Sequence, residues 1–553
     1  MSERVTAGDV VVAFLESCGV EHAFGVISIH NMPVLDAFHR RKKINFIPTR
    51  SEGGAVNMAD ANARARGCLG VAVSSTGTAA GNACGAIIEA MTAGTPLLHL
   101  TGQIESEHLD RNKGFIHEAQ NQLGMLAAAG KASLRVWSAD TTLGVLREAV
   151  RLAFTPPMGP VSVEIPIDVQ KSATELPANI APLPVFAPKP DEKSISLLAD
   201  ALSDKKRVML WLGGGARHAG EPVARLADLG FGVVNSVQGR GIFPEDNQQS
   251  LGAFNFQSAT EAFYGTCDAM LVVGSRLRSN ETLTYKLNLP APLYQIDADP
   301  QAEGKAYPVD EFVCGDSAIS LEMLADRLDR RFTPGKSFAG DIRAARQDAE
   351  AEMTEALGPY AEFVDAVLDA VPRDFVWVRD ITLSNTIWGN RMPPLDGPRN
   401  GVHALGGGIG QGLPMAIGAA IGVQDEGRKT ILLAGDGGFA VSLGELATAK
   451  QENVDITILL MNDRGYGVIR NIADAHYEGR QAYVDILGPE WGRFCDSLDI
   501  PHWHIKETND ISYVLTRALE EKGPTLIEVD MLSIGKFAKA FAGPPAKSEP
   551  DEE

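Results

Sequence analysis

Cysteine is scarce in this chain, and none of it is spaced for metal or redox work. The six cysteines, at 18, 68, 84, 267, 314 and 495, form no CxxC, which argues against disulfides or zinc and for buried, reduced thiols. No run of 18 apolar residues occurs, so no membrane-spanning helix is predicted. Positive charge is also short. There are 50 Lys and Arg against 71 Asp and Glu, a net charge of −21, and nothing would offset the repulsion of phosphates on a nucleic acid or an anionic membrane. The opening stretch, MSERVTAGDVVVAFLES, carries acidic residues and no uninterrupted apolar core. It reads as a capped helix rather than a signal peptide, and the expected location is cytoplasmic.

What remains is the composition of an ordinary soluble enzyme, 44% hydrophobic and 22% charged. At 553 residues the chain is too long for one core, and size rules suggest roughly three units of about 150 to 200 residues. Helix and strand signals alternate over 1–175, with short apolar strands at 71–75, 96–101 and 160–166, which predicts a parallel sheet with helices on both faces. Residues 176–192 hold five prolines in 17 positions and read as a linker. A second α/β unit is expected over 193–335, with strands at 208–212, 232–234, 269–274 and 293–297. The charged stretch 336–358 reads as a second, helical connection, and 359–540 as a third unit that shares the layout of the first. Residues 541–553 read as an acidic, solvated tail. The fold class is therefore α/β, with three consecutive doubly wound parallel sheets and ligands at the carboxyl ends of their strands.

The most informative pattern lies in the third unit. Asp436, in Gly435-Asp436-Gly437-Gly438, follows an apolar strand at 430–434, and Asp463, in Met461-Asn462-Asp463-Arg464-Gly465, follows the next strand at 456–460. Two hard oxygen ligands thus leave neighbouring strand ends beside glycines that let backbone N–H groups approach an anion. A helix starting within 441–450 is expected to aim its N-terminus there. Either fragment alone would read as a tight turn or an Asx turn; at this spacing they read as a corner for Mg²⁺ and a diphosphate. Gly213-Gly214-Gly215 and the GxGxxG-like fragment within 406–412 lack a placed acidic ribose partner and carry no nucleotide assignment.

The corner resembles the thiamine-diphosphate signature, a Gly-Asp-Gly followed some 25 to 30 residues later by an Asn pair, with Asp463 here in place of the second Asn. Further motifs carry the resemblance to the acetolactate synthase, benzoylformate decarboxylase and benzaldehyde lyase superfamily along nearly the whole chain. They are Gly102-Gln103, Gly159-Pro160-Val161 leading to Glu164-Ile165-Pro166-Ile167-Asp168, Gly239-Arg240-Gly241-Ile242-Phe243-Pro244-Glu245-Asp246 and Glu445-Leu446-Ala447-Thr448-Ala449. The resemblance implies that Asp436, Asp463 and the carbonyl of Gly465 hold Mg²⁺. It also implies cofactor contacts at Ser75, Thr382, Ser384, Gly408, Gly435, Gly437, Gly438, Tyr466, Gly467 and Val468. Gly438 stands where many relatives have Ser, leaving only backbone to offer a phosphate.

Glu52 matches the acid that hydrogen-bonds the cofactor pyrimidine and shuttles its proton, and flanking Ile47, Ala55, Val56 and Met58 are expected to keep that site dry. Relatives usually have His before this Glu, and here it is Ser51. Read in isolation, Glu52 would be a helix N-terminal acid. Ile409, between glycines, matches the apolar wedge that bends the cofactor; without that context it would read as plain core.

Polar groups expected to face substrate are His30, Ser75, Gln103, His117 and Tyr466. His30 aligns with the active-site His of benzaldehyde lyase. His117, in Phe115-Ile116-His117-Glu118, matches a decarboxylase-like subgroup, and the two histidines are expected near opposite ends of the ligand edge. The function implied is a thiamine-diphosphate- and Mg²⁺-dependent 2-oxo acid decarboxylase or carboligase, acetolactate synthase-like, forming an enamine after CO₂ loss. The alternatives are an acyloin lyase or C–C ligase acting on aldehydes, and a silent cofactor-binding homologue. A working FAD or CoA site in the middle unit has no segment to support it. The family implies a homodimer or homotetramer, with each cofactor between the first unit of one subunit and the third unit of its partner.

Overall fold

The computed structural model describes residues 4–543, so the expected tail lies, from 544 on, outside the described residues. Three parallel sheets carry the chain. The strands Thr430–Gly435 and Ile456–Asn462 are near-continuous apolar runs buried along almost their whole length, as strands covered on both faces must be. The first and third sheets each hold six strands in the same order, 2-1-3-4-6-5 when numbered along the chain, and the middle sheet holds five, as 2-1-3-4-5. A short antiparallel pair, Arg4–Thr6 with Ala173–Glu175, closes the first unit. Thr6 caps the helix Ala7–Ser17 through a reciprocal bond pair with Asp9, the capping expected from the opening sequence.

The first and third units share one core through two helices, Glu52–Arg66 and Gly412–Val423. The second is buried on every side and rich in small residues, so backbones come close. A Cβ built at Gly418 would lie 2.1 Å from the Met58 carbonyl oxygen, and the Gly418 carbonyl accepts from Asn62 Nδ2 at 3.2 Å. Gly418→Ala is expected to destabilise the fold by about 1–3 kcal/mol through overpacking, read as a lowered midpoint in chemical unfolding; an unchanged midpoint would show that the two helices can spread.

The stretch 336–358 is not a free connection. Its helix Phe338–Leu357 lays Phe338, Ile342 and Ala345 onto Met209, Trp211 and Met270 of the middle unit, an apolar spacing hidden among charges. The middle unit is tied to the third through a buried ion pair of its own, Arg240–Glu245 at 2.6 Å: Arg240 Nη1 donates to the Asn390 carbonyl at 2.8 Å, and Glu245 accepts from the Leu395 N–H at 3.2 Å. Gly213-Gly214-Gly215 serves loop packing: a Cβ at Gly213 would lie 2.2 Å from the Gly274 carbonyl, and one at Gly214 would meet Gln238.

In both outer sheets the strand order reverses beside the first strand, the place where open α/β sheets form a crevice. In the third unit that crevice opens between the ends of Val376–Arg379 and Thr430–Gly435; in the first, between His22–Gly25 and Gly70–Ser74. A helix starts within 441–450 as expected, Glu445–Gln451, but a shorter one precedes it: Asp436–Val441, which opens at Asp436 itself with the extended Gly435 as its cap.

Candidate functional site

The two acids of the third unit meet. The Asp463 N–H donates to Asp436 Oδ1 at 3.3 Å, and both residues are largely shielded from solvent. Burial, and after it the neighbouring Asp463 carboxylate, pushes Asp436 up to about 7. Burial also raises Asp463, opposed mainly by Arg470. Such a pair is a repulsion that Arg470 relieves in part and that a divalent cation would remove. Glycines make the approach possible. A Cβ at Gly467 would lie 1.8 Å from Asp463 Oδ2, and one at Gly437 would meet the Tyr466 ring at 2.8 Å and the Gly465 carbonyl oxygen at 3.1 Å. Asn462 shapes the turn: its Oδ1 accepts from the Arg464 N–H at 3.1 Å while its Nδ2 donates to Glu528 at 2.7 Å. Val468 lies in the helix Gly467–His476 that follows. Among the described residues no three His, Cys, Asp or Glu side chains cluster to hold a metal, so a cation here would need further oxygens from backbone, ligand or water.

Across the crevice, the loop 406–412 is held by two buried acids that no sequence motif singles out. Asp380 accepts from the Gly410 N–H at 3.1 Å and from Ile381 at 2.7 Å, and burial pushes it up to about 6. Glu89 of the first unit accepts from the Leu405 N–H at 2.7 Å and pairs with Arg64 at 3.2 Å. The signal that could have found Asp380 is its place directly after an apolar strand, the same position Asp436 holds. Ile409 is not core: it stands 40% exposed at the tip of this loop, beside exposed Val441. Gly408 lies in the loop, Thr382 Oγ1 abuts Gly435, and the fully buried Ser384 hydroxyl has no hydrogen-bond partner. Gly438 lies against Asp380.

Glu52 opens the helix Glu52–Arg66, whose cap is Ser51, accepting from the Gly54 N–H at 3.0 Å. Ser51 Oγ in turn donates to Glu445 at 2.9 Å, and the Arg50 N–H donates to the same carboxylate at 3.2 Å. The Glu445 motif is thus the tie that fixes the start of the Glu52 helix to the third unit. Ile47, Ala55, Val56 and Met58 are buried in the shared core, but Glu52 itself is half-buried and accepts from Asn82 Nδ2 at 3.1 Å. The expectation that those four residues dry the carboxyl meets a half-buried Glu52: Ile47, on the strand Asn45–Pro48, and Ala55, Val56 and Met58, on the helix, pack into the shared core instead.

At the ligand edge of the first unit the two histidines meet rather than sitting at opposite ends. Their rings lie edge-to-face, 5.4 Å apart. His30 is buried, its carbonyl accepts from Gln170 Nε2 at 2.7 Å, and burial, then His117, lowers its basicity. His117 is brought over by a fold-back loop: a Cβ at Gly77, where φ is +64°, would lie 2.1 Å from its carbonyl oxygen. Ser75 Oγ shares a 2.5 Å hydrogen bond with Ser28 Oγ. Gln103, expected to face substrate, has both of its amide atoms engaged within the first unit. It is buried, its Oε1 accepting from Thr76 at 2.9 Å and its Nε2 donating to Glu164, which Arg135 neutralises from the other side.

Three family descriptions match the chain in this order: "Thiamine pyrophosphate enzyme, N-terminal TPP binding domain" over 5–125, the "central domain" over 195–324, and the "C-terminal TPP binding domain" over 383–529. The protein named "Probable 2-ketoarginine decarboxylase AruI" from Pseudomonas aeruginosa is 30% identical over 475 residues, 85% of this chain and 84% of that one. Acetolactate synthase 2, chloroplastic, of Nicotiana tabacum is 26% identical over 550 residues, 94% of this chain and 81% of its own. In fold, the chain is similar to the structure titled "X-ray structure of a putative thiamin diphosphate-dependent enzyme isolated from Mycobacterium smegmatis", with a TM-score of 0.78 at 22% identity over 96% and 99% of the two chains. With three matched segments in family order and a relative at 30% identity across most of both chains, this chain belongs to the thiamine pyrophosphate enzymes.

Proposed function

We propose that the chain is a Mg²⁺-dependent thiamine-diphosphate 2-oxo acid decarboxylase or carboligase. The observation that carries this reading is the buried acid pair, Asp436 and Asp463, set beside a glycine cradle that a Cβ would fill. Its chemistry suits a diphosphate-bound divalent ion: two carboxylates with raised proton affinity, backbone N–H groups freed by Gly435, Gly437 and Gly438, and the Gly465 carbonyl nearby. When bound, thiamine diphosphate supplies a nucleophilic carbon for the substrate carbonyl and a sink for the electron pair left by CO₂.

The chain's own groups have separate tasks. Asp436, Asp463 and Gly465 would hold the ion, and Thr382 and Ser384 would offer hydroxyls to the diphosphate. Ile409 presses an apolar side chain against the cofactor from a loop that Asp380 and Glu89 keep in place. Glu52 holds and returns a proton at the pyrimidine ring. The drying of Glu52 falls to a partner subunit: Ile27, Ile29, Met32 and Ile116 stand exposed on the first unit, as do Val441, Ile469 and Leu487 on the third. Burying such faces against a second copy places the cofactor between the first unit of one subunit and the third of the other.

The relative named for 2-ketoarginine favours a 2-oxo acid as donor. A panel of 2-oxo acids, one arm with cationic side chains, scored for CO₂ release and for C–C bonds formed with added aldehydes, tests the reading. Carboligation of aldehydes with no CO₂ from any 2-oxo acid would select the acyloin lyase alternative.

His30 and His117, in contact at the first unit's edge, are the proposed donors of a proton to the product carbon. His117→Ala is expected to lower aldehyde release by about 10²-fold or more, the scale of a general acid, while CO₂ loss with an acceptor aldehyde present is spared. A fall in CO₂ release with a raised KM would instead make His117 the holder of the donor carboxylate. Unchanged kinetics would leave His30 as the donor.

A further inference from the structure

Asp463 adds a second carboxylate to the corner, and a diphosphate arriving beside it would meet one more negative charge than the Asp–Asn pattern presents. One cation faces that charge. Arg470 projects from the helix Gly467–His476 with Nη1 3.5 Å from Asp463 Oδ2 and 3.4 Å from the Asp463 carbonyl oxygen. Its other arm, Nη2, donates to Asp485 Oδ1 at 2.9 Å, and Asp485 bridges antiparallel to Gly465. A Cβ at Gly465 would stand 2.6 Å from Nη2, so the guanidinium lies along the turn that carries both Asp463 and the Gly465 carbonyl. Arg470 and Asp463 are both mostly shielded, their side chains 18% and 15% exposed, which limits screening of the pair by water.

We propose that Arg470 is the positioning residue that lets an acid stand at 463. It cancels the added charge against the diphosphate and holds the carboxylate turned toward Asp436. Asp436, Asp463 and Arg470 together carry one net negative charge, the value an Asp–Asn pair would carry without the arginine; Asp485, the guanidinium's other partner, is 86% exposed and its charge is screened by water. The strut to Asp485 is the competing role, and the two roles separate because only the charge role vanishes when the acid does.

The inference rests on the proposed Mg²⁺–diphosphate corner. It is tested by calorimetric Kd of Mg²⁺–thiamine diphosphate on the full chain, without turnover. Arg470→Gln is expected to weaken binding about tenfold or more, Arg470→Lys to keep most of the affinity, and Asp463→Asn to bind within about threefold of the unmodified chain. The double variant Asp463→Asn, Arg470→Gln is expected to return to within about threefold as well. A double variant as weak as Arg470→Gln alone, or Arg470→Lys equally weak, would make Arg470 only a strut; unchanged binding in Arg470→Gln would remove it from the site. Full binding by Asp436→Ala would overturn the corner itself, whatever Arg470 does. Apo far-UV circular dichroism and melting of each variant separate lost binding from lost folding.

Discussion

Asp436→Ala abolishes retention of thiamine diphosphate: that is the expected result of titrating the variant with the cofactor and Mg²⁺ in a calorimeter. Asp436 is the buried acid at the end of the strand Thr430–Gly435, with its Oδ1 accepting from the Asp463 N–H. Losing it removes one of the two carboxylates and leaves the diphosphate facing Asp463 without a firmly held ion. The apo protein should survive the change well. Burial and Asp463 hold Asp436 near 7, so below that pH the folded state favours the protonated form, and above it the buried carboxyl ionises at a cost to folding. A raised carboxyl costs stability as pH climbs from its unfolded value through the folded one, and removing it relieves that cost. Unchanged cofactor affinity in the chelator-treated variant would sink the metal assignment. Asp463→Asn, in contrast, keeps an oxygen ligand.

The second large effect concerns Glu52. Glu52→Gln preserves size and hydrogen bonding but cannot give up and recover a proton. Exchange of the cofactor C2 hydrogen for deuterium, followed by NMR after acid quench, should slow by about 10²- to 10⁴-fold, with cofactor affinity little changed. The helix that carries Glu52 is fixed at its start by the Ser51 cap and by Glu445, so a substitution at 52 leaves the backbone where it is. Exchange at the normal rate would mean another group activates the cofactor. A coupled consequence is that Glu445→Gln, which weakens the tie to Arg50 and Ser51, acts on the same readout through position rather than chemistry.

Much of the fold is legible in the amino-acid order, because its carriers are local. Parallel strands buried on both faces must be apolar runs, so 160–166, 208–212 and 293–297 can be read to the residue, and the shared layout of the outer units shows in their matching rhythm. The Asp436 and Asp463 corner is legible for the same reason: both acids follow such runs directly. The helix Phe338–Leu357 reads as a mere connection because its apolar face is diluted by charges, and only Trp211 and Met209 across the gap show what it covers.

By itself, then, the sequence determined the three parallel sheets, the acids at their carboxyl ends and the family pattern those acids spell. Tertiary structure alone decided which distant residues become neighbours. It brought His30 against His117, withdrew Gln103 into the Glu164 network, set Glu89 and Asp380 under the Ile409 loop, and faced Arg470 to Asp463. The physical reason is range. Strand burial and turn chemistry act over a few residues and leave a periodic trace. Buried polar groups must instead find partners wherever the packed chain puts them, and that requirement leaves no period in the sequence.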